Sequence, residues 1–547
     1  SEMCIRDRSD GLNVVETAAD GSFTLPGHER ERFIFITTPS GYKTFNRHYH
    51  KIEKKQSGYD FGLIPYSGRI RKNGSHRYIH IADTEIFNTE NHADWVNNVR
   101  DYARNEQAAF IIHTGDICYE KGLKAHIKLM NTENMDCPVF YCIGNHDLVK
   151  GKYGEELFES IYGPVYYSFD AGNVHYVVTP MPGGDHAPGY TSDDVCRWLK
   201  NDLAHIRPGT PVVVFNHDLL TYEDTFIFKS KNAGSINLNE YNLKAWVYGH
   251  WHINYMKKQG DVYSVCTSSL DKGGIDHSTT AFRVMHVDSK GDFTSELRYT
   301  YLDKNICIAS PAGVMASGVL PVAVNVYSSV SPVREVLYTC LADGKPVLKN
   351  KRLLQSTDWS WNGELPLSHK YVGKELTLRV TARFNNGEIA EAESNFICRT
   401  EKAVPLFSAD WDNLSGNAKH SAPVSAPLNL PLQLAWTNNV GANLYMTSPL
   451  IHKGKVIVAS VDEDLKGAGH VYALNGKDGT ILWSCPVRNS IKNSIAVDSD
   501  IVFAQDAQGF LYAIDTETGK LCWEKQLPVN GLPALIDGLV AGEGVVY

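Results

Sequence analysis

The sequence predicts a multidomain chain: an α/β core flanked by β-sandwich domains, with a partial β-propeller at its C-terminal end. Three observations predict this. Between residues 76 and 300, apolar runs of strand length alternate with helical stretches. On either side, short strands and turn dipeptides follow one another. After residue 430, a segment repeats at a spacing of 40 residues.

Taken in order, residues 1–10, SEMCIRDRSD, hold no apolar signal-peptide core. They read as a translated adapter scar outside the fold, which predicts that the natural N-terminus is missing. Residues 11–65 read as β: Val14-Val15-Glu16-Thr17, the turn Asp20-Gly21, Phe23-Thr24-Leu25, and Arg32 to Thr37 before Pro39-Ser40-Gly41. These strands are too few to close a sandwich, so a partial N-terminal β-sandwich domain is expected.

Residues 66–304 are the α/β domain. Its strand runs are Tyr78-Ile79-His80-Ile81-Ala82, Ala109-Phe110-Ile111-Ile112-His113, Val139-Phe140-Tyr141-Cys142-Ile143, Val212-Val213-Val214-Phe215 and Ala245-Trp246-Val247-Tyr248. Residues 305–400 return to strands such as Val322–Val326 and Leu376–Val380, a C-terminal β-sandwich domain. The Ser-, Pro- and Asn-rich stretch 401–430 reads as a linker.

In residues 431–547, VYALNGKDGTILW aligns with LYAIDTETGKLCW, so Tyr472 and Trp483 recur as Tyr512 and Trp523. Trp436 fits a preceding unit. Such a period with four strands per unit means propeller blades, and a propeller needs at least about four. The visible units are fewer, so a truncated C-terminus is expected.

Composition narrows the function. Of the 547 residues, 43% are hydrophobic and 21% charged, enough for each domain to bury a core. The net charge of −9, without a long basic run, disfavours nucleic acid as a partner. No run reaches the ~18 apolar residues of a membrane span. The eleven cysteines form no CxxC pair, against a zinc ribbon. Cys340 and Cys398 are either a disulfide or two buried thiols.

Polar residues follow each α/β strand at once, where open α/β sheets bind ligands. They are Asp83-Thr84-Glu85, Gly115-Asp116-Ile117-Cys118-Tyr119, Gly144-Asn145-His146-Asp147, Asn216-His217-Asp218 and Gly249-His250-Trp251-His252. Carboxylates with imidazoles suit divalent metals that accept both oxygen and nitrogen. Two such ions ~3.5–4 Å apart need a bridging carboxylate, and Asp116 is the candidate. In extended backbone, His250 and His252 would face one side and serve both ions. His80, His113 and Cys118 read as core or supporting residues, Asp218 as supporting or exposed, and the repeat tryptophans as packing residues.

These motifs resemble those of the calcineurin-like metallophosphoesterase superfamily: DxH or a variant, GDxx(D/Y), GNH(D/E), a lone His after a strand, and GHxH. The resemblance covers about residues 76–300. The flanking β domains resemble companions in a bacterial branch of that superfamily, and the repeats resemble the PQQ-like β-propeller.

The resemblance implies a metallophosphoesterase sandwich core and two divalent metals, Fe, Mn or Zn. One metal takes Asp83 and His252. The other takes Asn145, His217 and His250, and both share Asp116. Glu85 stands where the family usually has His; a carboxylate there can ligate, or the position is vacant. His146 matches the catalytic histidine, with Asp147 expected to orient its ring. The implied nucleophile is a metal-bridging hydroxide.

The expected activity is hydrolysis of phosphomonoesters or phosphodiesters, the substrate being a small-molecule, glycan or lipid phosphate. The loops 181–192 and 218–240 are expected to set specificity. The company of β domains and repeats implies an extracytoplasmic, periplasmic or secreted location. A degenerate scaffold acting through its propeller is the rival reading. The Glu85 departure favours it; the retained Asn145-His146-Asp147 opposes it.

Overall fold

The computed structural model describes residues 7–27, 31–54, 56, 58–302, 304–401, 409–421, 434–444, 447–463, 467, 469–528, 533 and 538–547. Most of the 401–430 linker and most of the 1–10 scar therefore lie outside the described residues. The chain divides into two compact units, one ending at Tyr301 and the other beginning at Leu302.

The first unit opens with short strands: β1 (Asp7–Ser9), β2 (Val14–Glu16), β3 (Phe33–Ile36), β4 (Tyr42–Thr44), β5 (Tyr49–Lys51) and β6 (Leu63–Pro65). They form a sheet of order β2-β1-β3-β5 and a separate β4-β6 pair. Two expectations are corrected here. Asp7–Ser9, set aside with the scar, is a strand paired with both β2 and β3. Phe23-Thr24-Leu25 is irregular instead of extended into the sheet. The Arg8 guanidinium sits 5.6 Å from the Phe23 ring, a side-chain contact in place of strand pairing.

The α/β core follows as β7 (His76–Ile81), α1 (Ala93–Asn105), β8 (Phe110–His113), α2 (Tyr119–Leu129), α3 (Thr132–Met135), β9 (Val139–Tyr141), α4 (Glu156–Tyr162), β10 (Tyr167–Ala171), β11 (Val174–Val178), α5 (Ser192–Ala204) and β12 (Val212–Phe215). It ends with β13 (Ile227–Lys229), β14 (Ser235–Asn237), β15 (Leu243–Tyr248), β16 (Tyr255–Gln259), β17 (Val262–Cys266), β18 (Ala281–Val287) and β19 (Phe293–Tyr299).

Two mixed sheets result, of order β10-β11-β12-β15-β17-β16 and β19-β18-β7-β8-β9. Strands β7, β8 and β9 run parallel in one, and β11, β12, β15 and β17 in the other. Aromatic rings interlock between the sheets: Phe110 lies 4.9 Å from Tyr176, and Tyr78 lies 5.7 Å from Phe215. Helices cover the outer faces. On α1, Trp95, Val96, Val99, Tyr102 and Ala103 make one buried stripe at helical spacing. Helix α5 starts at a reciprocal cap, with Thr191 Oγ1 accepting from Asp194 N and Asp194 Oδ2 accepting from Thr191 N.

In the second unit, residues 305–399 form an antiparallel four-stranded sheet and a mixed five-stranded one around a shared core. Alternation along Glu375–Phe384 turns Leu376, Leu378, Val380, Ala382 and Phe384 inward. Cys340 and Cys398 are both buried free thiols in this core.

The repeats form two antiparallel four-stranded sheets, each built from consecutive strands between Leu450 and Gln526. A tryptophan contact recurs, from the segment before the first sheet to that sheet, and from the first sheet to the second. Trp436 Nε1 donates to Gly476 O at 2.8 Å, and Trp483 Nε1 donates to Thr516 O at 3.0 Å. No helix among the described residues is long and apolar enough to cross a membrane.

Candidate metal centre

Asp83, Asp116 and Asn145 lie just beyond β7, β8 and β9; His217 and His250 lie just beyond β12 and β15. Each is at a C-terminal strand end, and the two sheets supply three and two of them. Facing two sheets is what brings motifs far apart in sequence to one place.

His217 is the hub. Its Nε2 lies 3.2 Å from Asp116 Oδ2, 3.1 Å from Asn145 Oδ1, 3.2 Å from His250 Nδ1 and 4.0 Å from Asp83 Oδ1. Its Nδ1 meets Thr114 O at 2.7 Å, which fixes the ring. His252 Nε2 stands 3.6 Å from both Asp83 Oδ1 and Glu85 Oε1. All seven candidate ligands therefore share one site.

Close approach has a backbone cause. Gly115 has φ +97°, and a Cβ there would meet His217 Nδ1 at 2.7 Å. Asp83, Glu85, Asp116, Cys118, Tyr119, His250 and His252 all have positive φ, a concentration of backbone strain typical of functional sites. This corrects the extended reading of Gly249-His250-Trp251-His252. The segment is a tight turn, with Trp251 N donating to Gly249 O at 2.7 Å, and left-handed backbone at both histidines sets their direction.

Electrostatics mark the site as built for cations. Burial pushes the Asp83 carboxyl well above its ordinary range, and Asp116 adds to this. Burial acts the same way on Asp116, but the His217 imidazole outweighs it and holds the carboxyl down. Burial opposes charge on His217, yet Asp116 and Asp83 raise its pKa to about 10. Burial lowers His250 and His252, with His217 adding to the effect. A proton on His217 is thus held by carboxylates that a divalent ion would neutralise better. The donor set fits such ions.

His80 lies between Thr114 Oγ1 and Thr267 Oγ1 at 2.8 and 2.9 Å, and His113 meets Thr84 Oγ1 at 3.0 Å. Both are buried braces. Asp218 accepts from Trp251 Nε1 at 3.0 Å. Cys118 is buried as expected, with burial pushing its thiol up, but its Sγ groups with carboxylate oxygens of Glu85 and Asp116 within 4.8 Å.

Asp147 does not orient His146. Its carboxylate is buried and accepts from Gly144 N at 2.9 Å and Cys118 N at 2.8 Å, tying two loops together. The partner of His146 Nδ1 is Asp185 Oδ2 at 2.8 Å. Burial disfavours the charged ring, but that bond raises the His146 pKa overall.

The Asp185 loop is pressed onto the Asn145 turn: Asp185 N donates to Asn145 O at 3.1 Å, and a Cβ on Gly184 would meet that same oxygen at 2.3 Å. Sequence reasoning missed Asp185. It also missed Lys272, whose Nζ lies 2.6 Å from Glu85 Oε2. The Gly183-Gly184-Asp185 string was the available signal for the first; Lys272 carried none.

Carboxylates and histidines converging at the strand ends of an α/β fold make a candidate centre for divalent metal. Residues 76–254 match the family model of the calcineurin-like phosphoesterases, and residues 8–65 match that of their N-terminal domain. The chain thus carries a calcineurin-like phosphoesterase domain with its N-terminal companion. Residues 433–543 match the model described as outer membrane protein assembly factor BamB, a PQQ-like repeat.

Purple acid phosphatase 13 of Arabidopsis thaliana is 26% identical over 215 residues, covering 37% of this chain and 36% of that protein. The chain therefore matches about a third of that relative's length. Among solved structures, a conserved uncharacterized protein from Streptococcus pneumoniae TIGR4, titled a predicted phosphoesterase, is 12% identical with a TM-score of 0.20. The match covers 41% of this chain and 98% of that one. A europium-containing methanol dehydrogenase is 24% identical over 25% of this chain and 26% of its own, with a TM-score of 0.21. At these TM-scores neither structure bears on the fold.

Proposed function

We propose that this chain is a metal-dependent hydrolase of phosphate esters that binds two divalent cations bridged by Asp116. One observation carries the reading. At this site, donor atoms fall into two groups of three within 4.8 Å, Asp116 with His217 and His250, and Asp116 with Glu85 and Cys118; Asp116 belongs to both. Asp83 and His252 would complete one side, and Asn145 the other. Bound cations would supply Lewis acidity toward the phosphoryl oxygens and lower the pKa of the attacking water.

The chain's own residues do the rest. Asp185 holds the Nδ1 side of His146, leaving Nε2 for the leaving-group oxygen. As the P–O bond breaks, the Nε2 proton passes to that oxygen, and the neutral ring stays bonded to Asp185. Asp147 keeps the Asn145 turn against the Asp116 loop through its two backbone bonds.

In the same reading, residues 305–400 are a β-sandwich companion, the repeats are blades of a propeller, and the protein works outside the cytoplasm. The Lys272–Glu85 ion pair is what favours the rival scaffold reading, because it occupies a candidate ligand.

The test is turnover of p-nitrophenyl phosphate and bis(p-nitrophenyl) phosphate by protein loaded with Mn, Zn or Fe. Metal-dependent release of nitrophenolate that Asp116→Asn abolishes supports the proposal. No turnover with any loading leaves the scaffold reading in its place.

A further inference from the structure

Arg32 stands just before β3 in the N-terminal domain, and its backbone O accepts from Ile52 N at 2.9 Å. That bond continues the β3–β5 pairing, so the sheet fixes where the residue sits. Its side chain reaches the first turn of α4 in the α/β core. Nη2 lies 2.7 Å from Glu155 Oε1 and 2.8 Å from Glu159 Oε1, and Nε lies 3.1 Å from the same Glu159 oxygen. The guanidinium also covers Tyr153, 4.4 Å from the ring centroid, and Tyr153 Oη donates to Glu159 Oε2 at 3.1 Å.

Glu155 is the junction. It and Glu159 are buried and four residues apart, so two like charges share one helix face and repel each other unless a cation lies between them. Burial, with Glu155 adding to it, pushes the Glu159 carboxyl up to about 7 against the pull of Arg32. The other contact of Glu155 leads toward the metal centre. Gly189 N donates to Glu155 Oε1 and Oε2 at 3.1 and 2.9 Å. A Cβ on Gly189 would meet Arg32 Nη1 and Glu155 Oε1 at 3.0 Å each, so the absent side chain lets the loop sit this close. Tyr190 Oη donates to Met181 O at 2.5 Å and Gly154 N to Ala187 O at 2.9 Å, which closes the loop. The same loop carries Asp185, bonded to His146 Nδ1 at 2.8 Å.

We propose that Arg32 is a positioning residue for proton transfer at His146: through Glu155 and Gly189, the N-terminal domain holds the 181–190 loop and keeps Asp185 against the His146 ring. Arg32 touches no reacting atom and acts through Asp185. Without it, Glu155 and Glu159 are left as a buried like-charged pair, and the acceptor of Gly189 N moves or takes up a proton. The inference rests on the phosphoesterase reading for what His146 does; the hold on the loop is measured without it.

Hydrogen exchange of the full, metal-loaded chain, read by mass spectrometry, reports the loop directly. Arg32→Gln should speed exchange in peptides of residues 183–190 on the order of tenfold and leave β7 and β8 unchanged. Arg32→Lys keeps the charge but not the two-point guanidinium contact, and should lie between the two. Turnover is the second readout. Arg32→Gln should lose about tenfold on an alkyl phosphate and less on p-nitrophenyl phosphate, below the 10²–10⁴-fold that a general acid supplies. In an Asp185→Asn background the same substitution should add no further leaving-group dependence. Phe45→Ala, an exposed residue of the same domain, should alter neither readout.

Unchanged exchange at 183–190 in Arg32→Gln overturns the hold, as does faster exchange spread over the whole first unit, the mark of a residue that only stabilises. Equal losses on both esters overturn the positioning role, and so does a leaving-group effect that persists in the Asp185→Asn background. Should Arg32→Gln not fold, Arg32→Lys is read by the same measurements against the same outcomes. Faster exchange confined to the loop, in protein that hydrolyses no ester, upholds the hold and refutes the catalytic reading alone.

Discussion

At the residue scale, Asp116, His146 and His250 should fail in different ways when replaced. Asp116→Asn removes one of two carboxylate oxygens shared between donor groups, so elemental analysis should find at least one of the two proposed cations gone. His250→Ala should lose metal and turnover together. His146→Ala should keep its metal and lose about 10²–10⁴-fold in rate, most with alkyl esters that need a proton and least with activated aryl esters. Metal loss in His146→Ala would make it a ligand.

Asp185→Asn should show the same leaving-group pattern more weakly, with Asp185→Glu recovering part of the loss; an effect uniform across leaving groups would reduce Asp185 to a structural role. The candidate ligands were legible because each follows a buried apolar run in a short polar motif. Asp185 was not, because it joins His146 across 39 residues through a loop with no periodicity. The left-handed backbone at Asp83, Asp116, His250 and His252 was equally hidden, since Asp and His favour it more than most residues but still adopt it too rarely for the sequence to mark it.

At the element scale, a buried ion-paired histidine links β10, β11 and α5. His175 Nδ1 lies 2.9 Å from Asp170 Oδ1, and Nε2 lies 2.9 Å from Asp202 Oδ2. Burial opposes the charge, but Asp202 and Asp170 raise its pKa to about 10. The folded value lies above the unfolded one of about 6.5, so the stabilisation is fully present below pH 6.5 and fades as pH rises toward 10. His175→Gln should therefore lower the melting temperature most near pH 6, by an amount worth about 3–5 kcal/mol, and least near pH 10. A pH-independent difference would mean that His175 is neutral when folded.

The repeats give a second contrast. Trp483 is buried and bonded to Thr516 O, whereas its repeat mate Trp523 is 44% exposed. Trp483→Ala should cost about 3–5 kcal/mol and Trp523→Ala under about 1, read by chemical denaturation of the second unit. The 40-residue period exposed both tryptophans in the sequence; only the structure tells which one has a neighbouring sheet to cover it. The strand expected at Phe23–Leu25 and not formed has the same lesson in reverse. Three residues of good β-propensity do not make a strand when no partner edge is offered.

At the scale of the whole molecule, the division at Tyr301 and Leu302 puts every candidate ligand in the first unit. A ligand that binds only the folded state stabilises the unit that holds it by RT ln(1 + [L]/Kd), about 2.7 kcal/mol at a hundredfold excess over Kd. The second unit gains nothing by that route. Calorimetric unfolding is therefore expected to show two transitions, and chelation should lower only one of them, by on the order of 5 °C. Asp116→Asn should lower the same transition without chelator and make it less sensitive to added metal. Trp483→Ala should lower the other. One transition that moves as a whole under all three treatments would mean that the units unfold together. Two transitions that both fall on chelation would place a cation in the second unit as well. Asp410, Asp412 and His452 are the donors to examine there, because they group within 4.8 Å. The His452 ring already spends both nitrogens on Asp412 and Asp500 at 2.8 Å each, so an ion-paired imidazolium meets the charge at that place and the second transition should stay where it is.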